Sequence, residues 1–169
     1  MKENELHLIC FWEHVESIVD KALIEDHISQ DVTTNALIPD HLEGKVAIIA
    51  KAEGILAGVE IAKAVFMHVD PTLSVEVHIT DGHRVKRGDV VATVSGEIVS
   101  ILKAERPALN FLCHLSGIAT DTSRYVEAVK GTKSHITDTR KTTPGLRPFE
   151  KYAVRMGGGH SHREHLGDW

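Results

Sequence analysis

Residues 134–147 read SHITDTRKTTPGLR, a strand-like start that runs directly into a turn of cations and hydroxyls. The first five residues are short and β-branched in character, which predicts a strand that ends at Asp138. Arg140 and Lys141 follow at once. Because ligands bind at the carboxyl ends of strands in parallel α/β folds, this order predicts an anion site. A solvated basic turn is the alternative interpretation, since Arg-Lys pairs are common in loops.

The side chains of this turn suit an anion chemically. A planar guanidinium such as that of Arg140 binds a carboxylate or phosphate through two parallel hydrogen bonds, and Lys141 adds a point charge. The hydroxyls of Thr142 and Thr143 are further donors for the same anion. Together these residue types describe an anion pocket.

The segment that follows carries a second polar group. Residues 148–156 predict a helix with a proline at its start, and three glycines at 157–159 end it. The glycines either terminate the helix or let backbone approach a ligand, and their spacing matches neither a P-loop nor a dinucleotide fingerprint. His162 and Arg163 place a hydrogen-bond donor beside a cation, which fits an anion pocket. A zinc site built from the C-terminal histidines is less favoured, because no acidic or cysteine ligand stands at motif spacing.

Upstream, residues 104–130 predict the longest helical region. It is either one helix or two with a break at Ser116-Gly117, since glycine costs about 1 kcal/mol in a helix interior. Arg106 is expected near the positive end of the helix dipole, which is unfavourable for a cation unless an anion comes close. Arg106 is therefore either part of a surface ion pair or a third anion-binding arginine, supplied in cis or from a second subunit.

The first hundred residues predict a mixed α and β region with antiparallel character. The expected elements are helices at 11–28 and 60–69, strands at 45–51 and 73–79, and a strand–turn–strand unit at 82–94. The last unit is similar to biotinyl and lipoyl carrier domains, but the motif around their modified lysine is missing. From about residue 105 the order becomes helix, strand, helix, which is typical of an α/β layer or barrel and places a domain boundary near residue 115.

Composition excludes several classes of function. The formal charge of −5 argues against a nucleic-acid-binding surface. No apolar run approaches the roughly 20 residues that cross a bilayer, and the N-terminus lacks the apolar core of a signal peptide. Cys10 and Cys113 are far apart and form no CxxC pair, so both are expected to be reduced thiols. A cytoplasmic protein without nucleic-acid or membrane partners is the expectation.

Several runs of this sequence resemble quinolinate phosphoribosyltransferases, and the resemblance covers essentially the whole chain. The runs are 105–112 (ERPALNFL), 115–120 (LSGIAT), 138–147 (DTRKTTPGLR), 150–155 (EKYAVR), 157–159 (GGG) and 162–163 (HR), with 31–34 (DVTT), 57–58, 81–82 and Gly88 in the first half. The segment DTRKTTPG is the most specific of them. The chain is thus identified from these runs as similar to that family.

The resemblance implies a fold and an activity. The fold is an N-terminal α/β hammerhead-like α+β domain, residues 1–115, followed by the start of an open α/β barrel, residues 116–169. The activity is that of a glycosyltransferase (a pentosyltransferase), which moves a phosphoribosyl group from phosphoribosyl pyrophosphate to quinolinate in NAD biosynthesis. Nicotinate mononucleotide, pyrophosphate and carbon dioxide are the products, and Mg²⁺ accompanies the pyrophosphate.

The resemblance also implies roles for residues. Arg140, His162 and Arg163 hold the carboxylates of quinolinate, with Thr139 and Lys141 beside them. The family works as a dimer, so Arg106 is expected to reach into the neighbouring subunit's site. No residue is assigned a catalytic or metal-binding role, because the carboxylates for Mg²⁺ are expected beyond residue 169.

The sequence departs from the family pattern in places. Ser161 stands where an asparagine is usual, and Pro107 and Cys113 are unusual for their positions. We expect a truncated or partial form, since a complete (β/α)₈ barrel takes about 250 residues. The alternatives are a homologue of the molybdenum-transport-associated branch with another anionic substrate, or a non-catalytic dimerisation partner.

Overall fold

The computed structural model of this protein describes the backbone of residues 3–39 and 41–162, and the side chains of residues 11–28, 30–39 and 41–162. Its helices are α1 (Glu3–Glu25), α2 (Val32–Leu37), α3 (Val59–Val69), α4 (Ile98–Ala128) and α5 (Arg147–Met156), with a 3-10 turn at Ile28–Gln30. Its strands are β1 (Glu43–Ile49), β2 (Gly54–Ile55), β3 (Ser74–Val77), β4 (Arg84–Val85) and β5 (Val90–Glu97). No helix in this part of the chain is long and apolar enough to cross a membrane.

Antiparallel pairing dominates the first hundred residues. The larger sheet has the order β1-β5-β3, and β2 pairs with β4 in a separate two-stranded sheet. Because β5 lies in the middle, Val91, Ala92 and Val94 are buried, whereas the edge strand β1 alternates between exposed and half-buried residues. The antiparallel strands predicted from the sequence are confirmed with small shifts in their bounds.

The core lies between the sheet and helices α1, α3 and α4. Helix α3 turns Ile61, Val65 and Phe66 inward, and it packs against α4. Helix α4 turns a stripe of small and apolar residues toward the core, which are Ile101, Ala104, Ala108, Leu112, Leu115 and Ala119. This spacing of three and four residues is that of a helix with one buried face.

Helix α4 runs without a break through Ser116-Gly117, so of the two alternatives the single helix is the one observed. Leu115 and Ala119 on either side are fully buried, and their packing stabilises the helix across the glycine. Gly117 lies on the open face, where an added Cβ would meet nothing within 4 Å. Ser116 instead hydrogen-bonds to the segment between β2 and α3, since its Oγ accepts from the Ala57 backbone N–H at 3.1 Å.

Helix α4 also begins earlier than predicted, at Ile98. Arg106 therefore lies about two turns inside the helix rather than near its positive end. The helix dipole therefore gives no reason to expect an anion beside Arg106, because the dipole effect falls off within the first turn.

Helix α5 joins the last part of the chain to the core. Phe149 is fully buried and meets Phe11 and Phe111 edge-to-face, with ring centroids 5.9 and 5.8 Å apart. The Tyr152 hydroxyl donates to Asp81 Oδ2 at 2.6 Å. The predicted helix at 148–156 is confirmed, and its aromatic face packs against α1 and α4.

The strand predicted at 134–138 is reduced to one isolated parallel bridge between Thr137 and His160. The His160 N–H donates to the Ile136 carbonyl at 2.9 Å, and the Asp138 N–H donates to the His160 carbonyl at 3.0 Å. Only these two hydrogen bonds join the segments backbone to backbone among the described residues. The unit is nevertheless strand-like segment, helix, strand-like segment, with both segments running in the same direction.

Candidate anion-binding site

The parallel bridge brings two of the predicted cation-bearing segments to the same edge. Thr139, Arg140 and Lys141 follow the bridge on one segment, and His162 follows it on the other. Because the segments run parallel, these residues leave the bridge side by side, as at the carboxyl ends of strands in an α/β layer. Arg163 lies outside the described residues.

Asp138 holds the two segments together through its side chain. Its Oδ1 accepts from the His162 backbone N–H at 3.0 Å and from Lys151 Nζ at 2.7 Å. The side chains of Asp138 and Lys151 are only 1% and 5% exposed. A buried pair of opposite charges is strongly destabilising to split, because the remaining charge is left uncompensated.

The turn that carries the cations is held by polar contacts of its own. Thr139 Oγ1 accepts from the Lys141 N–H at 3.1 Å, which closes a short side-chain turn. Arg147 at the start of α5 donates from Nε to Thr142 Oγ1 at 3.2 Å. The His14 ring donates from Nε2 to the Gly145 carbonyl at 2.9 Å. The turn is therefore anchored to α1 and α5.

Glu150 also holds the same turn in place, through a hydrogen bond to the turn's backbone. Its Oε2 accepts from the Thr143 N–H at 3.2 Å, and its Oε1 accepts from His114 Nε2 at 3.1 Å. Burial raises the pKa of Glu150, but hydrogen bonds from Thr143 and His114 outweigh burial and leave the pKa below its usual value. The carboxylate is thus held ionised where it connects α4, α5 and the turn.

Arg140 is half-buried, and its Nε is buried without a hydrogen-bond partner among the described residues. An unpaired buried donor costs about 1–3 kcal/mol, so a guanidinium in this state has unused capacity for an anion. Lys141, the next residue, and His162 are exposed. This arrangement supports ligand binding over the alternative of a solvated basic turn.

Arg106 lies in a different part of the structure. Its NH1 is 3.6 Å from Asp26 Oδ1, and its side chain is 77% exposed. Within residues 3–39 and 41–162, no hydrogen bond or ion pair joins Arg106 to the turn at 139–141. Arg106 borders a cleft of about 420 Å³ between the end of α1 and the first half of α4. The structure therefore does not bring Arg106 together with the other predicted residues in one chain.

Two of the three glycines after α5 leave no room for a side chain, Gly157 against α4 and Gly159 against α4 and α5. A Cβ at Gly157 would lie 2.4 Å from the Ala119 carbonyl oxygen and 2.6 Å from Thr122 Cβ. A Cβ at Gly159 would lie 2.6 Å from Val154 Cγ1. Of the two roles left open by the sequence, helix termination with close packing is the one that the contacts support.

Asp138, Lys151 and Glu150 were missed as site residues by the sequence analysis. Asp138 was read as the last residue of a strand, and the other two as part of a helix. The signal was an ionisable residue at a position where the neighbouring pattern predicts burial. Such a residue requires a partner, but the sequence does not say which.

Comparison with known proteins places the chain in a family. A family model of the quinolinate phosphoribosyl transferase N-terminal domain matches residues 31–116, and that of the C-terminal domain matches residues 118–169. The carboxylating nicotinate-nucleotide pyrophosphorylase of Mycobacterium leprae is 41% identical over an alignment of 162 residues that covers 94% of this chain and 57% of that protein. This chain belongs to the quinolinate phosphoribosyl transferase family.

Solved structures agree with this assignment. NadC from Streptococcus pyogenes matches with a TM-score of 0.87 and 46% identity, over 91% of this chain and 56% of that one. The nicotinate-nucleotide pyrophosphorylase from Francisella tularensis matches with a TM-score of 0.87 and 35% identity, over 92% and 56%. The predicted mixed α/β fold is confirmed, and the molybdenum-transport-associated alternative is not favoured. The chain spans about half the length of the curated relatives that it matches.

Proposed function

We propose that this chain takes part in phosphoribosyl transfer from phosphoribosyl pyrophosphate to quinolinate, a pentosyltransferase reaction of NAD biosynthesis. The products are nicotinate mononucleotide, pyrophosphate and carbon dioxide. The observation that carries the proposal is the meeting of Thr139-Arg140-Lys141 and His162 at one edge of a parallel bridge. Quinolinate has two adjacent carboxylates, so its pocket needs several cations and donors in fixed positions. The names of the relatives support the same reaction.

Each site residue has a role in this proposal. Arg140, His162 and Arg163 hold the two carboxylates, and Thr139 and Lys141 lie beside them, with Lys141 also able to face the phosphates. The rate enhancement comes from positioning the two substrates and from stabilising the charge that develops at the ribosyl carbon and the leaving pyrophosphate. No side chain is assigned the role of a general acid or base.

Arg106 fits the proposal only as a residue donated across a homodimer interface. Among the described residues it makes no hydrogen bond to the turn of its own chain, and its exposed guanidinium already pairs with a carboxylate, that of Asp26. An anionic substrate in a neighbouring subunit would replace that carboxylate. A cytoplasmic dimer, with residues 1–115 and 116–169 belonging to two domains, completes the proposal.

Mg²⁺ accompanies the pyrophosphate in the proposed reaction. The described residues include no group of three or more histidine, cysteine, aspartate or glutamate side chains that could hold a metal ion. The buried carboxylate of Asp138 is paired with Lys151. The residues described here do not fit a magnesium site, so no step of the proposal depends on the ion.

The test is quinolinate binding by isothermal titration calorimetry, followed by carbon dioxide release with phosphoribosyl pyrophosphate and magnesium. We expect Arg140→Ala to weaken quinolinate binding at least about tenfold, because it removes charge-assisted hydrogen bonds. Arg140→Lys should rescue little, since lysine keeps the charge but loses the two-pronged geometry. Arg124→Ala is the matched control, because Arg124 is an exposed arginine that pairs with Asp121 on the same helix.

The results of these measurements distinguish an enzyme from a non-catalytic dimerisation partner. Unchanged affinity in Arg140→Ala would remove Arg140 from the site. A folded chain that neither binds quinolinate nor releases carbon dioxide would contradict the proposed function and leave the non-catalytic partner as the better reading. Nicotinate, which has one carboxylate, should bind more weakly than quinolinate.

A further inference from the structure

One carboxylate oxygen connects three parts of the candidate site. Asp138 Oδ1 receives the ammonium of Lys151 from α5 and the backbone N–H of His162 from the second bridged segment. The Asp138 backbone N–H, in turn, donates to the His160 carbonyl. The residue that begins the cation-bearing turn is therefore fixed to the segment that carries His162 by both its backbone and its side chain.

The two oxygens of the Asp138 carboxylate differ in their hydrogen bonding. Both donors converge on Oδ1, while Oδ2 is buried and has no hydrogen-bond partner among the described residues. A carboxylate that served stability alone would be expected to satisfy both oxygens, because buried unpaired acceptors are destabilising. Local arrangements that sacrifice stability are typical of functional sites.

We propose that Asp138, held in place by Lys151, is a positioning residue that sets the spacing between the turn at 139–141 and His162. This inference rests on the proposed function, in which these groups bind the two carboxylates of one ligand. Asp138 touches no ligand in this scheme. It acts by keeping the two sets of donors in register before the ligand arrives, so that binding does not have to order them.

The spacing matters because the ligand is rigid. Two adjacent carboxylates on an aromatic ring have a fixed separation, so donors on two segments must keep a matching separation. A single backbone bridge, Thr137 with His160, is a weak constraint by itself. The Asp138 side chain adds a contact one residue beyond that bridge on its own segment and two residues beyond it on the other.

Two double variants distinguish the effect of the hydrogen bond to the His162 N–H from the effect of the charges on Asp138 and Lys151. Asp138→Asn with Lys151→Met keeps an acceptor for the His162 N–H and removes both charges. Asp138→Ala with Lys151→Met removes the acceptor as well as both charges. Because both variants remove the Asp138 and Lys151 charges together, neither splits this ion pair, and both should fold. Lys151→Met is common to the two variants. Val94→Ala, a cavity variant in the centre of the sheet, controls for general loss of stability.

The readouts are hydrogen exchange of the His162 amide, followed by NMR, and quinolinate binding by calorimetry. In the alanine double variant, we expect the His162 amide to exchange at least tenfold faster and quinolinate affinity to fall at least tenfold. In the asparagine double variant, both should stay within about threefold of the unmodified chain. Val94→Ala should leave quinolinate affinity unchanged.

Equal quinolinate affinity in the two double variants would overturn the inference, as would unchanged His162 exchange in the alanine variant. If the unmodified chain binds no quinolinate, the proposed function fails. The positioning role is then decided by the amide exchange alone, so the two failures are distinguishable.

Discussion

The sheet region, residues 43–97, and the site region, residues 134–162, are stabilised in different ways. The sheet region has a continuous ladder between β1 and β5 and a buried apolar layer that includes Val94 and Phe66. The site region has one backbone bridge and a set of polar side-chain contacts centred on Asp138 and Glu150. The first therefore distributes its stability over many small contributions, and the second concentrates it in a few.

This difference predicts where single substitutions act most strongly. In an apolar layer each lost methylene group costs about 0.8 kcal/mol, and neighbouring contacts remain. In a polar network one lost partner leaves a buried charge or donor unpaired, which costs more and displaces a whole segment. Substitutions that split the buried Asp138–Lys151 pair should therefore have large effects on stability as well as on binding.

The largest effect is expected for Lys151→Met. The change leaves the Asp138 carboxylate buried without its cation, which should lower the free energy of unfolding by about 3–5 kcal/mol. Urea denaturation followed by circular dichroism measures this. The matched control is Lys130→Met, whose pair with Glu127 is 73% and 71% exposed, and which should change stability by less than about 1 kcal/mol. Equal effects of the two substitutions would show that burial does not govern the Asp138 pair.

A glycine pair tests the close packing of the site region against α4. Gly157→Ala should destabilise by about 1–3 kcal/mol, because its Cβ would collide with the Ala119 carbonyl and with Thr122. Gly117→Ala should stabilise by about 1 kcal/mol, because Gly117 lies within α4 with open space around it. Thermal and urea unfolding of both variants give the two signs. A stabilising Gly157→Ala would contradict the close approach.

The same contrast explains what the sequence could predict. Strands β1, β3 and β5 and helix α3 follow from apolar periodicity, because burial of one face determines both the element and its pattern. The strand expected at 134–138 has the right residue types but only one bridged residue, since pairing depends on a partner segment more than 20 residues away. Propensity alone does not specify that partner.

The site was predicted in part for the same reason. Arg140 and Lys141 stand out because adjacent cations after a strand-like segment are visible locally. The polar contacts that hold them are not visible, because Asp138 meets His162 and Glu150 meets His114 only in the folded chain. The sequence also singled out Arg106, but it did not predict that Arg106 lies apart from the turn in the folded chain.

Tyr152 connects the two regions directly, and its removal should have an intermediate effect. Its hydroxyl donates to Asp81, which also accepts from the backbone N–H groups of Gly58 and Val59 at the start of α3. Burial and the Asp81 contact raise the pKa of Tyr152, so the phenol stays a donor through the neutral range. Tyr152→Phe should lower the unfolding free energy by about 1–2 kcal/mol.

The exposed Tyr125, which is 65% accessible, supplies the matched control for Tyr152. Tyr125→Phe should leave the urea midpoint unchanged. If Tyr152→Phe is equally silent, the hydroxyl does not couple α5 to α3, and the two regions are joined by apolar packing alone.

The smallest expected effect is the pH dependence that Glu150 contributes. Hydrogen bonds from Thr143 and His114 outweigh burial and lower its pKa in the folded protein. A carboxyl group whose folded pKa is lowered adds stability above its unfolded pKa and loses it as the pH falls through the folded value. The stability difference between the unmodified chain and Glu150→Gln should therefore be present at about pH 7 and shrink below about pH 4. Because the His114 partner is 44% exposed, the difference should stay below about 1 kcal/mol.

Urea unfolding at several pH values measures this stability difference, with Glu127→Gln as the exposed control. A difference that grows on acidification would mean that burial, rather than hydrogen bonding to the turn, governs Glu150.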